Sequence, residues 1–172
     1  KTRTVLDPKY NYSYADGDQY YQWSPDSKWF LVQFGQDGRI FTPEVGLISA
    51  SGEDKLINLT QNGYDDYSPR WSSDGDMMIW GCSRNGTKSE SGSMSSMDVY
   101  SMYFNKDSWD KSKLSKEDYT LLKEAEDKAE KDKKEADDKN SKKKKDENKD
   151  KDKKDEAVKE IKMDLDGAQD RK

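Results

Sequence analysis

The chain has 172 residues, of which 39% are charged and 30% hydrophobic, and its formal net charge is −5 at pH 7. It contains no histidine, which excludes a Ser-His catalytic pair and histidine-based metal sites within it. No apolar run approaches the roughly 20 residues that a membrane helix needs. The chain starts without a methionine and stops at Lys172 without a closing element, so we expect it to be a segment of a longer protein.

Composition divides the chain into two kinds of segment. The 5 Trp, 10 Tyr and 4 Phe residues all lie between Tyr10 and Tyr119. Residues 106–160 contain 19 Lys against 19 Asp plus Glu, so this run is balanced in charge and is not a basic arm for nucleic acid. These totals predict three parts: folded strands at 1–105, a charged low-complexity insertion at 106–158, and a returning strand at 159–172.

A short pattern occurs twice in the aromatic-rich part. Trp23 stands in Tyr-Tyr-Gln-Trp-Ser-Pro-Asp-Ser, and Trp71 stands in Tyr-Ser-Pro-Arg-Trp-Ser-Ser-Asp-Gly, 48 residues later. Each copy runs into an apolar stretch, at residues 29–32 and 77–80. A recurrence at about this period is typical of repeat architectures, so both copies are predicted to adopt one supersecondary unit.

Each copy is predicted to be a strand, a tight turn and a second strand. Asp74 and Gly75 tolerate positive φ, which lets the chain reverse between Trp71 and the following apolar run. In the first copy Ser27 replaces the glycine, and Pro25 sets φ at the start of the turn instead. A turn is expected there too, with its type left open.

The same plan extends beyond each turn. The predicted strands lie at residues 20–34 (a strand, a turn and a strand), 42–49, 55–60, 68–71, 76–82 and 98–104. Val45, Leu47 and Ile48 are core candidates, and a long loop is expected at 83–96.

Two features that resemble functional sites have plainer explanations. Asp16 and Asp18 have no third ligand at a useful spacing, so a solvated turn is preferred over a metal site. Cys82 ends a predicted buried strand and is interpreted as a small core residue, not as a reactive thiol.

The charged insertion is predicted to begin with a short helix. Ser115 is the expected N-cap, with Asp118 three residues later. Residues 135–156 carry too little apolar surface to offset the entropy of ordering, so they are expected to be disordered or a solvated helix. Residues 160–167 alternate and turn at Gly167 as residues 45–52 do at Gly52, which predicts a strand and places the insertion inside a third unit.

Four-stranded units at intervals of about 40–50 residues, with aromatic anchors and Asp-Gly turns, are typical of β-propeller blades. The predicted fold class is therefore all-β: a partial β-propeller of about two four-stranded blades plus flanking strands, with a charged, partly helical or disordered insertion. A blade cannot bury both of its faces alone, so neighbouring blades are expected to cover them.

The segments around Trp23 and Trp71, with the strand end at 57–60, resemble the Trp-Ser-Pro-Asp-Gly repeats of the Tol-Pal periplasmic propeller and of tricorn protease. The apolar runs and the block 114–118 before the charged insertion resemble more narrowly the tricorn-like proteases of Bacteroides-type bacteria. That resemblance implies a tail-specific serine peptidase whose propellers filter or channel peptides to PDZ and catalytic domains further along the chain. It also implies a periplasmic or secreted location, with a cytoplasmic one left open.

Site candidates follow from the predicted strand positions. The innermost strands of a propeller line its channel, and here these would be the strands that lead into Trp23 and Trp71. The predicted structural anchors of the repeat are these two tryptophans together with Asp26, Asp74 and Gly75. Substrate-channel candidates are then Arg70, Gln22 and Ser68; for Arg70 a structural salt bridge or a solvated position is the stronger alternative. No catalytic residue, metal ligand or cofactor is predicted in this chain.

The expected partners are peptide or unfolded substrate and neighbouring domains of the same protein, without nucleic acid or membrane insertion. Two alternatives stay open, a non-enzymatic propeller scaffold for protein partners and the propeller of a prolyl-oligopeptidase-type enzyme.

Overall fold

The computed structural model describes residues 2–11, 19–36, 39, 42–52, 55–86, 96–141 and 160–172. The chain divides into two compact units, Lys1–Ser108 with Val158–Lys172, and Trp109–Ala157. The first unit holds two antiparallel sheets and the second is helical, so the described structure is mostly β with some helix. The predicted turn at Asp16 and Asp18 and most of the predicted loop at 83–96 lie outside the described residues.

The first sheet has four antiparallel strands in sequence order. They are β1 (Tyr21–Trp23), β2 (Trp29–Gly35), β3 (Pro43–Ser49) and β4 (Ile57–Asn58). The central strands β2 and β3 carry nearly continuous apolar residues because both of their faces meet other side chains, which matches the four strands predicted for this repeat.

The second sheet has three antiparallel strands, β5 (Asp66–Trp71), β6 (Met77–Cys82) and β7 (Asp98–Tyr103). The register between β5 and β6 shifts between Tyr67 and Arg70, where Ser68 has a φ of 53°. A bulge of this kind inserts an extra residue into one strand. β5 begins at Asp66, earlier than the predicted start at residue 68.

The two sheets pack face to face around one hydrophobic core. The first sheet and the residue after it contribute Leu31, Val45, Leu47 and Leu59. The second sheet and its flanks contribute Met78, Trp80, Cys82, Met102, Phe104 and Ala168. The core prediction is confirmed for Val45, Leu47 and Ile48, which are at most 3% exposed.

Both Trp-Ser turns have the same hydrogen-bond network. Ser24 Oγ donates to Asp26 Oδ1 (2.6 Å) and accepts from Trp29 N (2.9 Å). In the second turn Ser72 Oγ donates to Asp74 Oδ1 (2.5 Å) and accepts from Met77 N (3.1 Å).

The two turns also share their backbone conformation. Ser27 takes a φ of 59° where Gly75 takes 77°, so the serine adopts the left-handed conformation that glycine adopts more easily. Pro25 therefore does not impose a different turn on the first copy.

The returning segment, residues 160–172, joins the two repeats. Ile161 N donates to Asp26 Oδ2 (3.0 Å), and the Ile161 side chain packs on Gly75, so this residue contacts both turns. Asp164 N donates to the carbonyl oxygen of Phe104 (2.9 Å) beyond the end of β7. Buried Arg171 donates to the carbonyl oxygens of Tyr103, Asp164 and Asp166, which fixes the end of the segment.

The strand predicted at 160–167 is not formed. The segment runs without strand pairing and ends in a 3-10 turn at Ala168–Asp170. The returning segment instead caps the core between the two sheets, where Ile161 and Ala168 are buried. Gly52 and Gly167 were predicted to occupy equivalent turn positions. Their backbone conformations agree, with φ values of 67° and 64°.

Two helices follow β7, α1 (Lys106–Ser112) and α2 (Lys116–Ser141). The predicted N-cap of α2 is confirmed, since Ser115 Oγ accepts from Asp118 N (3.1 Å) and donates to the Asp118 carboxylate (2.8 Å). α1 was not predicted. It begins after Asn105, whose side-chain oxygen accepts from Ser108 N (2.8 Å) as an N-cap does. Of the stretch 135–156, residues 135–141 are helical and the remainder lies outside the described residues.

Candidate functional site

The strongest candidate site is the outer face of the four-stranded sheet, meaning the side chains that point away from the second sheet. Strand alternation decides its membership, because Leu31 points into the core and its neighbours point the other way. The outer face carries Tyr21, Trp23, Phe30, Val32 and Ile48. Val32 and Ile48 are buried, on the side of the face where Val5 and Leu6 also lie, so its exposed part is the edge formed by Tyr21 and Trp23. Tyr21 and Trp23 are 59% and 50% exposed, which is unusual for two large aromatic side chains on one sheet face.

Aromatic contacts link three side chains of this face. The Trp23 and Phe30 rings lie 3.9 Å apart between centroids, and the Tyr21 ring meets Phe30 edge-on at 6.0 Å. A groove of about 210 Å³ runs beside them and is also lined by Val5, Leu6 and Gln19. Aromatic groups held in this way suit the burial of apolar surface on association.

The repeat supplies a covered counterpart of the outer face. In the first sheet Trp23 pairs with Phe30, and Phe30 pairs with Ile48. The second sheet repeats this pattern, because Trp71 pairs with Met78, and Met78 pairs with Met102. Trp80 stands in the second sheet where Val32 stands in the first. The second set packs against the first sheet in the core, whereas the first set is the outer face.

Glutamine side chains hold the two sheets together at their first strands. Gln22 Oε1 accepts from Trp71 N (2.9 Å), and the Gln22 carbonyl oxygen accepts from Trp71 Nε1 (3.3 Å). Gln33 Oε1 accepts from Ser68 N (2.8 Å), and Tyr20 OH donates to the carbonyl oxygen of Pro69 (3.3 Å). The backbone groups at the free edge of β5 therefore have hydrogen-bond partners on the other sheet, in place of a neighbouring strand.

The predicted substrate-channel residues fall into different positions. Gln22 and Ser68 lie at the junction of the sheets, where Gln22 binds Trp71 and the Ser68 backbone binds Gln33. Arg70 is exposed on the opposite face of the second sheet, paired in register with Ile79. Among the described residues no carboxylate forms a salt bridge with Arg70, so of its two structural alternatives the solvated position is the one observed.

The predicted anchors also divide. Trp71 lies against Phe104 with ring centroids 4.8 Å apart and is partly buried, as expected for an aromatic group between sheets. Trp23 lies against Phe30 of its own sheet and is 50% exposed. Asp26, Asp74 and Gly75 act within the turns, and Asp26 also accepts from Ile161 N.

Asp26 is tuned by its contacts. Partial burial opposes ionisation, but hydrogen bonds from Ser24 Oγ, Ile161 N and Lys28 N outweigh it and hold the pKa of Asp26 below its ordinary value. The carboxylate is thus ionised at neutral pH and serves as an acceptor for three donors.

A buried polar cluster was missed by sequence reasoning. Asp66 is 0% exposed and accepts from Trp80 Nε1 (2.8 Å) and from Asn62 Nδ2 (2.9 Å). Burial, reinforced by the adjacent Asp66, raises the pKa of Cys82 to about 12, so the thiol stays protonated and is a poor nucleophile. An acidic residue at the start of an apolar strand was the only signal in the sequence.

A second buried carboxyl lies on β3. Glu44 is 3% exposed and accepts a hydrogen bond from Asn58 Nδ2. Burial raises the pKa of Glu44, and the Asn58 bond opposes that shift only in part. Both carboxyls accept hydrogen bonds from neighbouring side chains, Glu44 from Asn58 and Asp66 from Asn62 and Trp80, which stabilises their burial.

The part of the chain that the structure describes contains no group of three or more Cys, Asp or Glu side chains placed to hold a metal ion. None of its helices combines the length and the apolar character required to cross a bilayer.

Comparisons with protein-family models, with curated proteins and with solved structures gave no match to this chain. The features that bear on its function are the stacked sheets, the repeated turns and the exposed aromatic pair Tyr21 and Trp23.

Proposed function

We propose that this chain is a non-catalytic segment of a β-propeller in a tricorn-like serine peptidase, where it helps to filter or channel peptide substrates to an active site elsewhere in the longer protein. The observation that carries the propeller part is the repeated unit. Two Trp-Ser turns share one hydrogen-bond network, and the sheets that contain them stack in sequence order.

Stacking of this kind is how propeller blades cover one another. Trp71 is held between two sheets, and Trp23 occupies the same position on a sheet whose outer side is exposed. A series of blades continuing beyond the first sheet accounts for that exposure. The peptidase part rests on the sequence resemblance, with a periplasmic or secreted location.

The test compares hydrolysis of denatured casein and short peptides by three proteins: the longer protein, a version without its downstream domains, and the 172-residue chain. We expect turnover only by the first, because the chain has no histidine to activate a serine. Turnover by the purified chain, or an inactive longer protein, contradicts the peptidase assignment.

A non-enzymatic scaffold is the second candidate, and the exposed aromatic pair Tyr21 and Trp23 favours it. Under that function the longer protein lacks peptidase activity and retains a defined protein partner in pull-down experiments. Trp23→Ala would then release the partner, whereas Val99→Ala, a change at an exposed position of the other sheet, would not.

A further inference from the structure

Two asparagines of this chain stand directly before a glycine, Asn62 before Gly63 and Asn85 before Gly86. In such a pair the backbone nitrogen of the glycine can attack the side-chain amide carbon of the asparagine. Glycine favours this attack because it has no side chain to shield its nitrogen and because it reaches the backbone conformations that ring closure needs. The two pairs have the same sequence, so their surroundings in the fold decide how readily each of them reacts.

The surroundings of Gly63 leave its backbone open to this reaction. Gly63 is exposed, and nothing lies within 4 Å of its β-carbon position. Among the described residues none accepts a hydrogen bond from Gly63 N. The nitrogen can therefore approach the side chain of Asn62 without first giving up a hydrogen bond within the fold.

The side chain of Asn62 is turned towards the residues that follow it. Asn62 Oδ1 accepts from Tyr64 N (2.7 Å), which is an Asx turn. The amide carbon of Asn62 and the nitrogen of Gly63 belong to the same hydrogen-bonded ring. The N–H of Tyr64 also points at the oxygen that gains negative charge during the attack, and a donor in that position stabilises the charge.

The second pair is held more firmly at its glycine. Gly86 N donates to the carbonyl oxygen of Ser83 (3.2 Å). A β-carbon at Gly86 would overlap the carbonyl oxygen of Ser96, so the glycine backbone is packed against the chain just before β7. Attack by Gly86 N requires the loss of its bond to Ser83, so folding should protect Asn85 more than Asn62.

The nitrogen that the reaction removes from Asn62 supports a buried carboxyl group. Asn62 Nδ2 donates to Asp66 Oδ2 (2.9 Å), and Asp66 is 0% exposed. The other oxygen of Asp66 accepts from Trp80 Nε1 in the core (2.8 Å). Asn62 lies between β4 and β5, so its side chain ties the connection between the two sheets to the core.

We propose that Asn62-Gly63 is a site of spontaneous deamidation, and that its products loosen the connection between the two sheets by taking a hydrogen-bond donor from Asp66. Gly63 N forms a bond to Asn62 Cγ, and the bond between Cγ and Nδ2 breaks. The Gly63 proton passes to solvent, and Nδ2 takes up a proton and leaves as ammonia. Water then opens the cyclic imide at either carbonyl, which gives aspartate or isoaspartate. The reaction needs water alone and does not depend on the proposed function.

The products change the surroundings of Asp66. An aspartate at position 62 has only acceptor oxygens where the amide had a donor, so Asp66 loses that hydrogen bond and faces a second carboxylate. An isoaspartate adds one carbon to the main chain, which displaces the turn that Asn62 forms with Tyr64. Either product should weaken the attachment of the connection to the core.

The test incubates the chain in one mildly alkaline buffer, with urea to unfold it and without. Peptide mapping by mass spectrometry follows both pairs, and enzymatic methylation detects isoaspartate. The unfolded chain gives the intrinsic rate of each pair. We expect folding to slow Asn85 about tenfold more than Asn62, because the orientation of the attacking nitrogen controls the rate. Equal protection of the two asparagines, or stronger protection of Asn62, contradicts the proposal.

A variant at the attacking residue tests the mechanism. Gly63→Ala should slow the reaction at Asn62 by about tenfold, because the added side chain shields the nitrogen, and should leave Asn85 unchanged. The fold accommodates this alanine, since the φ of Gly63 is not positive and its β-carbon position is open. An unchanged rate at Asn62 contradicts attack by the Gly63 nitrogen.

A product variant tests the effect on the fold. Asn62→Asp should lower the midpoint of thermal unfolding by about 3 °C or more, because Asp66 loses a donor. Asn85→Asp is the matched control and should leave the midpoint unchanged, since Asn85 is exposed. Loss of cooperative unfolding in Asn62→Asp is the same result in a stronger form. An Asn62→Asp chain as stable as Asn85→Asp contradicts the loosening of the connection.

Discussion

The first repeat, around Trp23, and the second, around Trp71, contain the same turn network but differ in what surrounds them. Both serine hydroxyls bridge the turn aspartate and the strand that follows. Trp71 is covered by Gln22 and Phe104, whereas Trp23 is 50% exposed. The difference teaches that the repeat determines local backbone structure, and that the neighbouring sheet determines how much each anchor contributes to stability.

The largest expected effect separates the two tryptophans. Trp71→Ala removes an aromatic group from the junction of the sheets and should lower the free energy of unfolding by about 3 kcal/mol. Trp23→Ala should lower it by less than about 1 kcal/mol, because half of that side chain is already in water. Urea unfolding followed by far-UV circular dichroism measures both, and equal losses would show that the outer face is covered in this chain.

The next effect concerns the left-handed residue of each turn. Gly75→Ala should destabilise by about 2 kcal/mol, because the backbone conformation disfavours a side chain. A β-carbon there would also lie 2.3 Å from Ile161 Cδ1. Ser27→Gly should instead stabilise by a few tenths of a kcal/mol, since relief of the strained φ slightly exceeds the entropy cost of glycine.

Thermal unfolding of both variants tests this second contrast. Gly63→Ala is the matched control, because nothing lies within 4 Å of the β-carbon position and its φ is not positive. A neutral Gly75→Ala variant would mean that Ile161 does not pack on the turn.

The smallest expected effect is pH-dependent and concerns Asp26. Its pKa is lower in the folded chain than in the unfolded one, so its contribution is complete above the unfolded value of about 3.9 and is lost as the pH falls through the folded pKa. Asp26→Asn should cost roughly 0.5–1 kcal/mol at pH 7, a modest amount because the group is partly exposed. Denaturant titrations at several pH values should show wild type and variant converging in acid.

Asp74→Asn is the control for Asp26, because it removes the charge from the equivalent turn. The bond to Ile161 N belongs to Asp26, so Asp26→Asn should also increase hydrogen exchange at Ile161. Equal exchange at Ile161 in the two variants would show that this bond does not hold the returning segment.

Much of the local structure followed from the sequence. Alternating and continuous apolar runs located the four strands of the first sheet, and Ser115 with Asp118 located the start of α2. These features depend on neighbours within a few residues, which sequence patterns report directly. α1 was missed because its signal is a single N-cap, Asn105, before a segment without an apolar face.

The candidate site was predicted less well. Gln22, Ser68 and Arg70 were grouped by strand position, but Gln22 and Ser68 lie at the junction of the sheets and Arg70 on the far face. The bulge at Ser68 changes which side chains share a face. Pro69 inside the strand is its signal in the sequence, because proline within a sheet is confined to edges and bulges, but it does not indicate which faces result. The strand expected at 160–167 in a third unit is not formed, and this segment caps the core through Ile161 and Ala168 instead.

By itself, the sequence determined the strands, the two repeated turns, the cap of α2 and the absence of histidine chemistry, because each depends on residue identity and short spacing. Only the tertiary structure decided that Trp71 is covered and Trp23 exposed, that Ile161 joins both turns, and that Cys82 is an inert thiol beside Asp66. Burial and pairing between residues far apart in the chain set these properties. The two tryptophans stand in similar turns, so their local sequence does not indicate which of them a neighbouring sheet covers.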